Sequence, residues 1–522
     1  MNKVIFTLLL TVFCNILNAQ IDRDFWFAIP KEHNAHCYNT LNATNNVSFK
    51  IAAMKLDANV TISMPANGGN FTTRSFLVPA GTSHIEVMAI NWVQFDSIYA
   101  NPSRSDAAPL SGKTNHGIHI TSDNDITVYY DYDNYWNRDL FSLKGKNALG
   151  TDFWTPFQYI WKNDNRAATS CGDYPFPDHP WYAYSYIDIV ATEPGTTTVF
   201  ITNNTAGVTF LGYTSPFSIT LTQGQTFSLR TSGQTAAGHP RGTHITSTQK
   251  IAITINDDSV NAANGACADV IGDQLIPVNM MGCRYLIMCG DDGRQDNTSA
   301  AQDINRGEQI FVTATQANTT VIFKDTAGII LLIQVLGAGG STYLSPNIAK
   351  AAQSSIYIES SPGKPIAVFH ITGHACEVGG AIVPAITNCS GSNEVTVLPS
   401  ITGVANGSDT WITMNIMVPY DTMKAFTDPS QSFNFFILYN AKYPSGYAIP
   451  GSWFESNRRT GWALLKMSNR EWGQAGTGKN ILVLGANKVV NTVDFFHLGM
   501  SNGTPGNTNK YGYFSSFSSV SP

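Results

Sequence analysis

Two stretches of the chain, NHGIHITSDNDITVYYDYD at 115–133 and PRGTHITSTQKIAITINDD at 240–258, carry nearly the same pattern more than a hundred residues apart. A third stretch, SSIYIESSPGKPIAVFHITG at 354–373, follows a related order of apolar and polar residues. Apolar residues alternate with polar ones in all three, which is typical of β-strands that bury one face. The chain is therefore predicted to repeat one β unit.

Short polar residues interrupt the alternation in the middle of each stretch. Thr121 and Ser122 lie at this point in the first stretch, and Thr246 and Ser247 lie there in the second. Such side chains favour turns because they hydrogen-bond to the nearby backbone. We therefore expect each stretch to be the last hairpin of a repeated unit, with a turn at 248–250 in the second.

The repeat extends beyond these phrases. The stretches 47–63, 185–201 and 308–324 each show an alternating run, a polar turn and a β-branched strand. This pattern predicts an all-β fold of tandem β-sandwich-like repeats with loop insertions. A β-propeller-like arrangement is the alternative, but propeller blades recur every 40–50 residues or so, and these stretches lie much further apart.

The spacing of the stretches divides the chain into five parts. The fifth has strand patterns with a different spacing, and it is either a diverged fourth copy or a capping domain. The parts are a signal peptide at 1–20, a first β unit at 21–133, an insertion plus second unit at 134–258, an insertion plus third unit at 259–400, and a diverged C-terminal β unit at 401–522.

The beginning of the sequence predicts export. Lys3 precedes an apolar run at 4–17, and Asn18-Ala19-Gln20 offers a small residue for cleavage, as in a secretory signal peptide. No later run is long and apolar enough to predict a transmembrane segment. We therefore expect an extracellular protein, secreted or at the cell surface.

Composition limits the classes of partner. The chain has 31 Lys and Arg against 37 Asp and Glu, a formal net charge of -6, which argues against nucleic-acid binding. Hydrophobic residues make up 43%, so the chain has enough apolar surface to fold. The expected partner is an extracellular protein or glycan, and the oligomeric state stays open.

Seven cysteines follow the signal peptide, and disulfides are expected outside the cell. Cys376 with Cys389 is one candidate bridge, and Cys267 with either Cys283 or Cys289 is another. Because the number is odd, one thiol stays unpaired. A zinc site is the competing interpretation, but the sequence has no CxxC pair.

Acidic residues in a glycine-containing loop offer a candidate calcium site. Asp291, Asp292 and Asp296 lie in GDDGRQDN at 290–297, and calcium takes several oxygen ligands from such loops. The alternative is a solvated turn. No other cofactor is expected. His119 and His244 recur at the same repeat position, and we expect them to be structural.

No pattern in the sequence predicts catalysis. There is no HExxH and no convincing grouping of Ser, His and Asp, and no pair of carboxylates stands out as a glycosidase pair. The chain is therefore expected not to be an enzyme. A secreted carbohydrate-active enzyme with β accessory domains is the alternative, and a structural matrix or surface-layer component is a third interpretation.

An aromatic-rich insertion, CGDYPFPDHPWYAYSY at 171–186, is the candidate ligand-binding segment. Exposed aromatic side chains are the anchors that interfaces prefer. The wider binding surface is expected in the insertions at 134–184 and 259–307. The candidate binding residues are Tyr174, Phe176, Trp181, Tyr182 and Tyr184.

Several stretches resemble the N-terminal domain family of immunoglobulin G Fc-binding proteins. They are IVATEPGTTTVFI at 189–201, ITLTQGQTFSL at 219–229, GTHITSTQKIAITI at 242–255, VTATQANTTVIF at 312–323 and GACADVIGDQLIPVNMMGCRYLIM at 265–288. The chain departs from the family at Cys267-Ala268-Asp269, where Cys-Asp-His is expected, and at Val278, which replaces a proline. The resemblance implies a secreted, non-catalytic binding or adhesion protein, with an immunoglobulin Fc-like or mucin-like ligand.

Overall fold

The computed structural model describes most of the chain between residues 21 and 513. Within these residues almost all of the regular secondary structure is β-strand, so the predicted all-β fold is confirmed. Four short 3-10 helices accompany the strands, at Gly145–Ala148, Ala236–Gly238, Val278–Met280 and Gly451–Trp453. The described residues are 21–30, 46–69, 71–89, 112–134, 137–163, 183–260, 269–288, 308–325, 327–345, 355–374, 377–386, 391, 394–397, 411–419, 436–457, 462–469, 479–483, 485, 487–492, 496–504 and 508–513.

The first unit is one curved sheet organised around a strand of 17 residues, β7. The sheet order is β4-β3-β7-β2-β5, and β1 and β8 also pair with β7. The strands are β1 (Asp22–Phe27), β2 (Asn46–Ala53), β3 (Ala58–Ser63), β4 (Arg74–Val78), β5 (Ser83–Ala89), β6 (Gly112–Thr114), β7 (Ile118–Asn134) and β8 (Asn137–Ser142).

The second unit repeats this order as β12-β11-β14-β10-β13, with β9 and β15 also paired to the 17-residue β14. Strand β6, which precedes β7 in the sequence, extends this second sheet by pairing with β13. The strands are β9 (Gly150–Trp154), β10 (Ser185–Ala191), β11 (Thr196–Thr202), β12 (Phe217–Thr222), β13 (Thr226–Arg230), β14 (His244–Val260) and β15 (Asp269–Gln274).

The repeated phrases are therefore long strands, and the predicted hairpins are wrong. Thr121 and Ser122 lie within β7, and Thr246 and Ser247 lie within β14. The polar residues lie at an irregularity in the strand pairing. In the pairing of β7 with β1, the register shifts between Thr121 and Ile126. The hydroxyls of Ser122 and Ser247 donate to backbone carbonyls two residues ahead, so the strand bends and continues instead of reversing.

The third unit divides the same long strand into two. A turn in which the Lys364 N–H donates to the Ser361 carbonyl separates β21 from β22, which belong to different sheets. The sheets are β16-β21-β18-β19 and β20-β17-β22-β23. The strands are β16 (Arg284–Met288), β17 (Gln309–Ala314), β18 (Thr319–Lys324), β19 (Ile330–Leu336), β20 (Ser341–Leu344), β21 (Ser355–Ser360), β22 (Ile366–His374) and β23 (Glu377–Ile382).

The C-terminal region repeats the strand order of the third unit with two further strands, which favours a diverged fourth unit over a separate cap, and it is called the fourth unit below. Its sheets are β24-β31-β26-β27 and β28-β29-β25-β32-β33, with β30 paired to β29. The strands are β24 (Glu394–Val397), β25 (Trp411–Pro419), β26 (Phe436–Asn440), β27 (Tyr443–Ala448), β28 (Glu455–Asn457), β29 (Trp462–Ser468), β30 (Lys479–Asn480), β31 (Asn487–Asn491), β32 (His497–Thr504) and β33 (Thr508–Tyr513).

Every unit can thus be described with three named strands. The long strand is β7, β14, β21 with β22, or β31 with β32. The lead strand (β1, β9, β16 or β24) pairs with its first half, and the closing strand (β8, β15, β23 or β33) pairs with its second half. The two halves belong to the two layers of a sandwich-like unit, as predicted. The residue boundaries of the predicted domains stay a prediction.

The closing strands of the four units meet at the centre of the molecule. The carboxylate of Asp139 in β8 accepts backbone N–H groups from the other three closing strands, at 3.1–3.3 Å, and the donors are Gly272, Gly380 and Tyr511. Burial raises the pKa of Asp139 well above its usual value, and these donors oppose the rise by stabilising the carboxylate. One side chain therefore joins all four units.

The hydrophobic cores also run from each unit to the next. Val270 of the second unit packs in the core of the first, and Phe369 of the third packs in the core of the second. Trp462 of the fourth unit packs in the core of the third, and Tyr129 of the first packs in the core of the fourth. The four units therefore form a closed ring.

Candidate functional site

Most of the candidate residues predicted from the sequence lie outside the described residues. This applies to the aromatic residues Tyr174, Phe176, Trp181 and Tyr182, to the calcium candidates Asp291, Asp292 and Asp296, and to the cysteines Cys267, Cys376 and Cys389. The predicted calcium site and disulfides therefore stay predictions. In the part of the chain that the structure describes, no cluster of three or more His, Cys, Asp or Glu side chains could hold a metal ion.

Two of the selected residues are described. Tyr184 is partly exposed, and the guanidinium of the buried Arg230 lies 4.1 Å from the centre of its ring, a cation–π contact. The Tyr184 carbonyl accepts the Asp258 N–H at 3.1 Å, so Tyr184 is held close to the end of β14. Cys283 is partly exposed, and its candidate disulfide partners Cys267 and Cys289 lie outside the described residues.

The two recurring histidines occupy equivalent sites in the first and second units. His119 Nε2 lies 2.8 Å from Asp24 Oδ1, and its ring stacks on Trp26 at 4.0 Å between centroids. His244 Nε2 lies 2.8 Å from Asp152 Oδ1, and its ring stacks on Trp154 at 4.2 Å. Each triad fastens a lead strand to the long strand beside it.

The sequence contains a signal for these triads that the repeated phrases alone do not show. Asp-Phe-Trp occurs at 24–26 and again at 152–154, with nearly the same spacing as the two histidines. The register places Trp26 opposite His119 and Trp154 opposite His244. In the third unit, Leu286 pairs with Tyr357 at this position, so the third unit lacks the triad.

The triads differ in what covers the tryptophan. At the first junction, where the first unit meets the second, Trp26 packs on Val190 and Ala252 and is 4% exposed. At the second junction, where the second unit meets the third, Trp154 stays partly exposed beside Gly339. A Cβ on Gly339 would lie 2.6 Å from Trp154 Cζ3, so only glycine allows this approach.

The segment that follows Trp154, TPFQYIW at 155–161, is folded around a buried glutamine. Gln158 Oε1 accepts the N–H groups of Ile160 and Trp161 at 3.0 Å, and Gln158 Nε2 donates to the Trp161 carbonyl at 3.1 Å. These bonds fix the backbone while Tyr159, Ile160 and Trp161 remain partly exposed. Three large apolar or aromatic side chains thus lie on a rigid turn.

A threonine ties this segment to the loop before β14. Thr155 Oγ1 donates to the Pro240 carbonyl and accepts the Thr243 N–H, and the Gly242 N–H donates to the Thr155 carbonyl at 2.8 Å. The loop carries Arg241, whose guanidinium carbon lies 4.3 Å from the centre of the Tyr159 ring. The contact places a cation against an aromatic face.

The third unit contributes aromatic rings to the same place. The Tyr159 ring lies 5.4 Å from that of Tyr343 and 5.7 Å from that of Phe311, with both pairs nearly edge to face. Burial raises the pKa of Tyr159 and lowers the pKa of Arg241, so the phenol stays protonated at neutral pH while water is partly excluded from the guanidinium.

Together these side chains form a surface at the second junction, which we call the aromatic surface. Tyr, Trp and Arg are the residues that protein interfaces favour at their energetic centres. Part of the surface lies in the insertion at 134–184 from which binding was expected. It consists of Trp154, Tyr159, Trp161, Arg241, His244 and Tyr343.

A histidine of the third repeated stretch, His370, is fully buried. Its Nε2 lies 2.7 Å from Glu308 Oε2, and its Nδ1 lies 2.7 Å from the Tyr511 hydroxyl. Tyr511 belongs to the fourth unit, so these hydrogen bonds join it to the third. Because its side chain is buried and hydrogen-bonded on both ring nitrogens, His370 serves to hold the third and fourth units together.

Comparison with solved structures gives only weak similarity. A tetra-tandem repeat from the extending region of a large adhesion protein is 10% identical, with a TM-score of 0.09 over 90% of this chain and 93% of that one. The native conformation of E. coli alpha-2-macroglobulin is 9% identical, with a TM-score of 0.15 over 95% of this chain and 33% of that one. These TM-scores are too low to support any argument.

Comparison with protein families is more informative. No curated protein matches the chain at a significant level. In the described residues no helix is long and apolar enough to cross a membrane. The model of the family described as IgGFc binding protein matches residues 146–417, slightly more than half of the chain, and this range contains the whole aromatic surface. The chain belongs to the IgGFc-binding protein family.

Proposed function

We propose that this protein is a secreted, non-catalytic binding or adhesion protein that recognises an extracellular protein or glycoprotein through the aromatic surface. One observation carries the proposal. Tyr159 is held between Arg241 of its own unit and Tyr343 of the next, and all three side chains remain accessible. This combination provides flat apolar area together with a donor group, which is what a protein partner or a sugar ring needs.

The rigidity of the surface supports binding without rearrangement. Gln158 and Thr155 fix the turn that carries Tyr159, and the edge-to-face contact with Tyr343 orients the ring. Side chains that are already ordered lose little conformational entropy when a partner docks, so more of the contact energy becomes affinity.

The histidine of the surface favours recognition over catalysis. His244 Nε2 is engaged by Asp152, and the face of the ring is stacked on Trp154. In this arrangement the imidazole fixes the position of the tryptophan. The family description supports binding as the function, with immunoglobulin Fc or a mucin-like glycoprotein as the first ligands to test.

The mature chain should be tested by biolayer interferometry against an array of extracellular proteins and glycoproteins that includes immunoglobulin G Fc and purified mucin. We expect saturable binding to at least one member. Tyr159→Ala and Arg241→Ala should each raise the Kd roughly tenfold or more, since they remove central contacts.

The matched control is Phe200→Ala, because Phe200 is an exposed aromatic residue in the same unit that lies on β11, outside the aromatic surface. Its Kd should equal that of the wild type. The proposal is wrong if no member of the array binds, or if the control weakens binding as much as the two surface variants.

A further inference from the structure

Strand β19 has an unusual surface for the edge of a sheet. It pairs with β18 on one side and is the last strand of its sheet among the described residues. Ile330, Ile333 and Val335 are 54%, 56% and 61% exposed. Aliphatic side chains of this size rarely cluster in water on a strand whose backbone N–H and C=O groups are also open to pairing.

The equivalent edge strands of the other units are protected. The edge strand β4 of the first unit carries the charged Arg74, and β27 of the fourth unit contains Pro444. In the second unit, the exposed positions of β12 are Ser218, Thr220 and Thr222. Charges, proline and polar side chains are the usual means of preventing strands from pairing at an edge. Strand β19 has no charged residue and no proline, and its single polar residue is Gln334.

We propose that β19 pairs with β19 of a second molecule of this chain, in antiparallel orientation about a two-fold axis at Ile333. Opposite pairs on the outward face would then be Ile333 with Ile333, and Leu331 with Val335. These pairs join aliphatic and β-branched side chains across the strands, which is favourable in sheets. A two-fold interface uses the same patch on both molecules, so self-complementarity is the only requirement.

Charge supports a second molecule as the occupant. The sequence has no Asp, Glu, Lys or Arg from 326 to 349, so two identical strands meet without like-charge repulsion although each molecule is net negative. The interior side of β19 is fixed by contacts such as that of Leu332 with the core of the third unit. This proposal is independent of the proposed binding function.

The test is the mass of the mature chain in solution, by sedimentation velocity over a range of concentrations. The wild type should reach twice the mass of the chain. Ile333→Lys and Ile333→Glu should each be monomeric, and Val335→Lys provides a second variant if either folds poorly. Thr220→Lys, which adds the same charge to the corresponding edge β12, should dimerise like the wild type.

Mixing the Lys and Glu variants tests the register. Residue 333 faces residue 333 only in the proposed pairing, so the mixture should regain the dimer that neither variant forms alone. A monomeric wild type at all concentrations, a dimer that survives Ile333→Lys in a folded protein, or a mixture that stays monomeric would each overturn the proposal. Circular dichroism and the Tm establish that the variants are folded.

Discussion

The first and second junctions use the same Asp-His-Trp triad and end with different surfaces. At the first junction Val190 and Ala252 cover Trp26. At the second junction the residue equivalent to Val190 is Thr313, which pairs with Ala367 as Val190 pairs with Ala252. Thr313 hydrogen-bonds to the Thr155 carbonyl, and Trp154 remains partly exposed. The triad is repeated in the chain, and the unit that packs against it therefore decides whether its tryptophan is buried or exposed.

The junctions also differ in how their closing strands are joined. Lys144, just after β8, forms a buried ion pair with Asp273 in β15 at 2.8 Å. Burial lowers the pKa of Lys144 and raises that of Asp273, which shows that desolvation opposes the attraction. The register places Ile276 and Ala381 at the equivalent positions of the second junction. Between the closing strands, the first junction therefore has an ion pair where the second has two apolar side chains.

The largest expected effect concerns the ion pair. Lys144→Met should lower the free energy of unfolding by about 3–5 kcal/mol, because it leaves Asp273 charged and buried without its cation. Ile276→Met, the matched change at the second junction, should cost less than about 1.5 kcal/mol, since it conserves apolar volume. Urea unfolding of both variants measures the difference. Equal costs would show that the two junctions are not distinguished by charge.

The next comparison replaces each tryptophan. Trp26→Ala should cost about 3–5 kcal/mol, because it empties a buried site. Trp154→Ala should cost less, about 2–3 kcal/mol, because part of its ring is already in water. The effect on ligand affinity should be the reverse: Trp154→Ala should weaken binding, and Trp26→Ala should not. Binding that depends on Trp26 as strongly as on Trp154 would contradict the proposed role of the second junction.

The smallest effect tests how closely the third unit approaches Trp154. Gly339 and Gly363 have nearly the same left-handed φ, +73° and +72°, but only Gly339 would place a Cβ against the tryptophan. Both changes to alanine carry the same backbone strain. Gly339→Ala should cost about 1–3 kcal/mol more than Gly363→Ala, owing to the steric clash. Thermal unfolding of the two variants measures the difference. Identical Tm values would show that the close approach of Gly339 to Trp154 does not affect stability.

The alternation of apolar residues was sufficient to predict the all-β fold and the repeated unit. The hairpins were predicted wrongly because the polar residues of 121–125 and 246–250 have the chemistry of turns, and only the pairing strands decide whether the chain reverses or bends. Ser361-Pro362-Gly363-Lys364 does turn, and it separates two sheets in the third unit. Proline and glycine make the difference there.

The candidate site was only partly predictable. The insertion that contains Tyr159 and Trp161 was expected to bind, but the contacts with Arg241 and Tyr343 join residues that are far apart in the sequence. The role of Asp139 was also hidden, because its hydrogen-bond donors are backbone groups of three other units and leave no mark on the side chains. The hydrogen bonds to Asp139 form only when the four units close into a ring.

Hydroxyl-radical footprinting of the mature chain, read by mass spectrometry, tests the difference between the junctions most directly. Trp154, Tyr159 and Tyr343 should oxidise faster than Trp26 in the free protein, and a saturating ligand found in the binding screen should slow their oxidation. Oxidation of Trp26 at the rate of Trp154, or rates at the second junction that ligand leaves unchanged, would contradict the account.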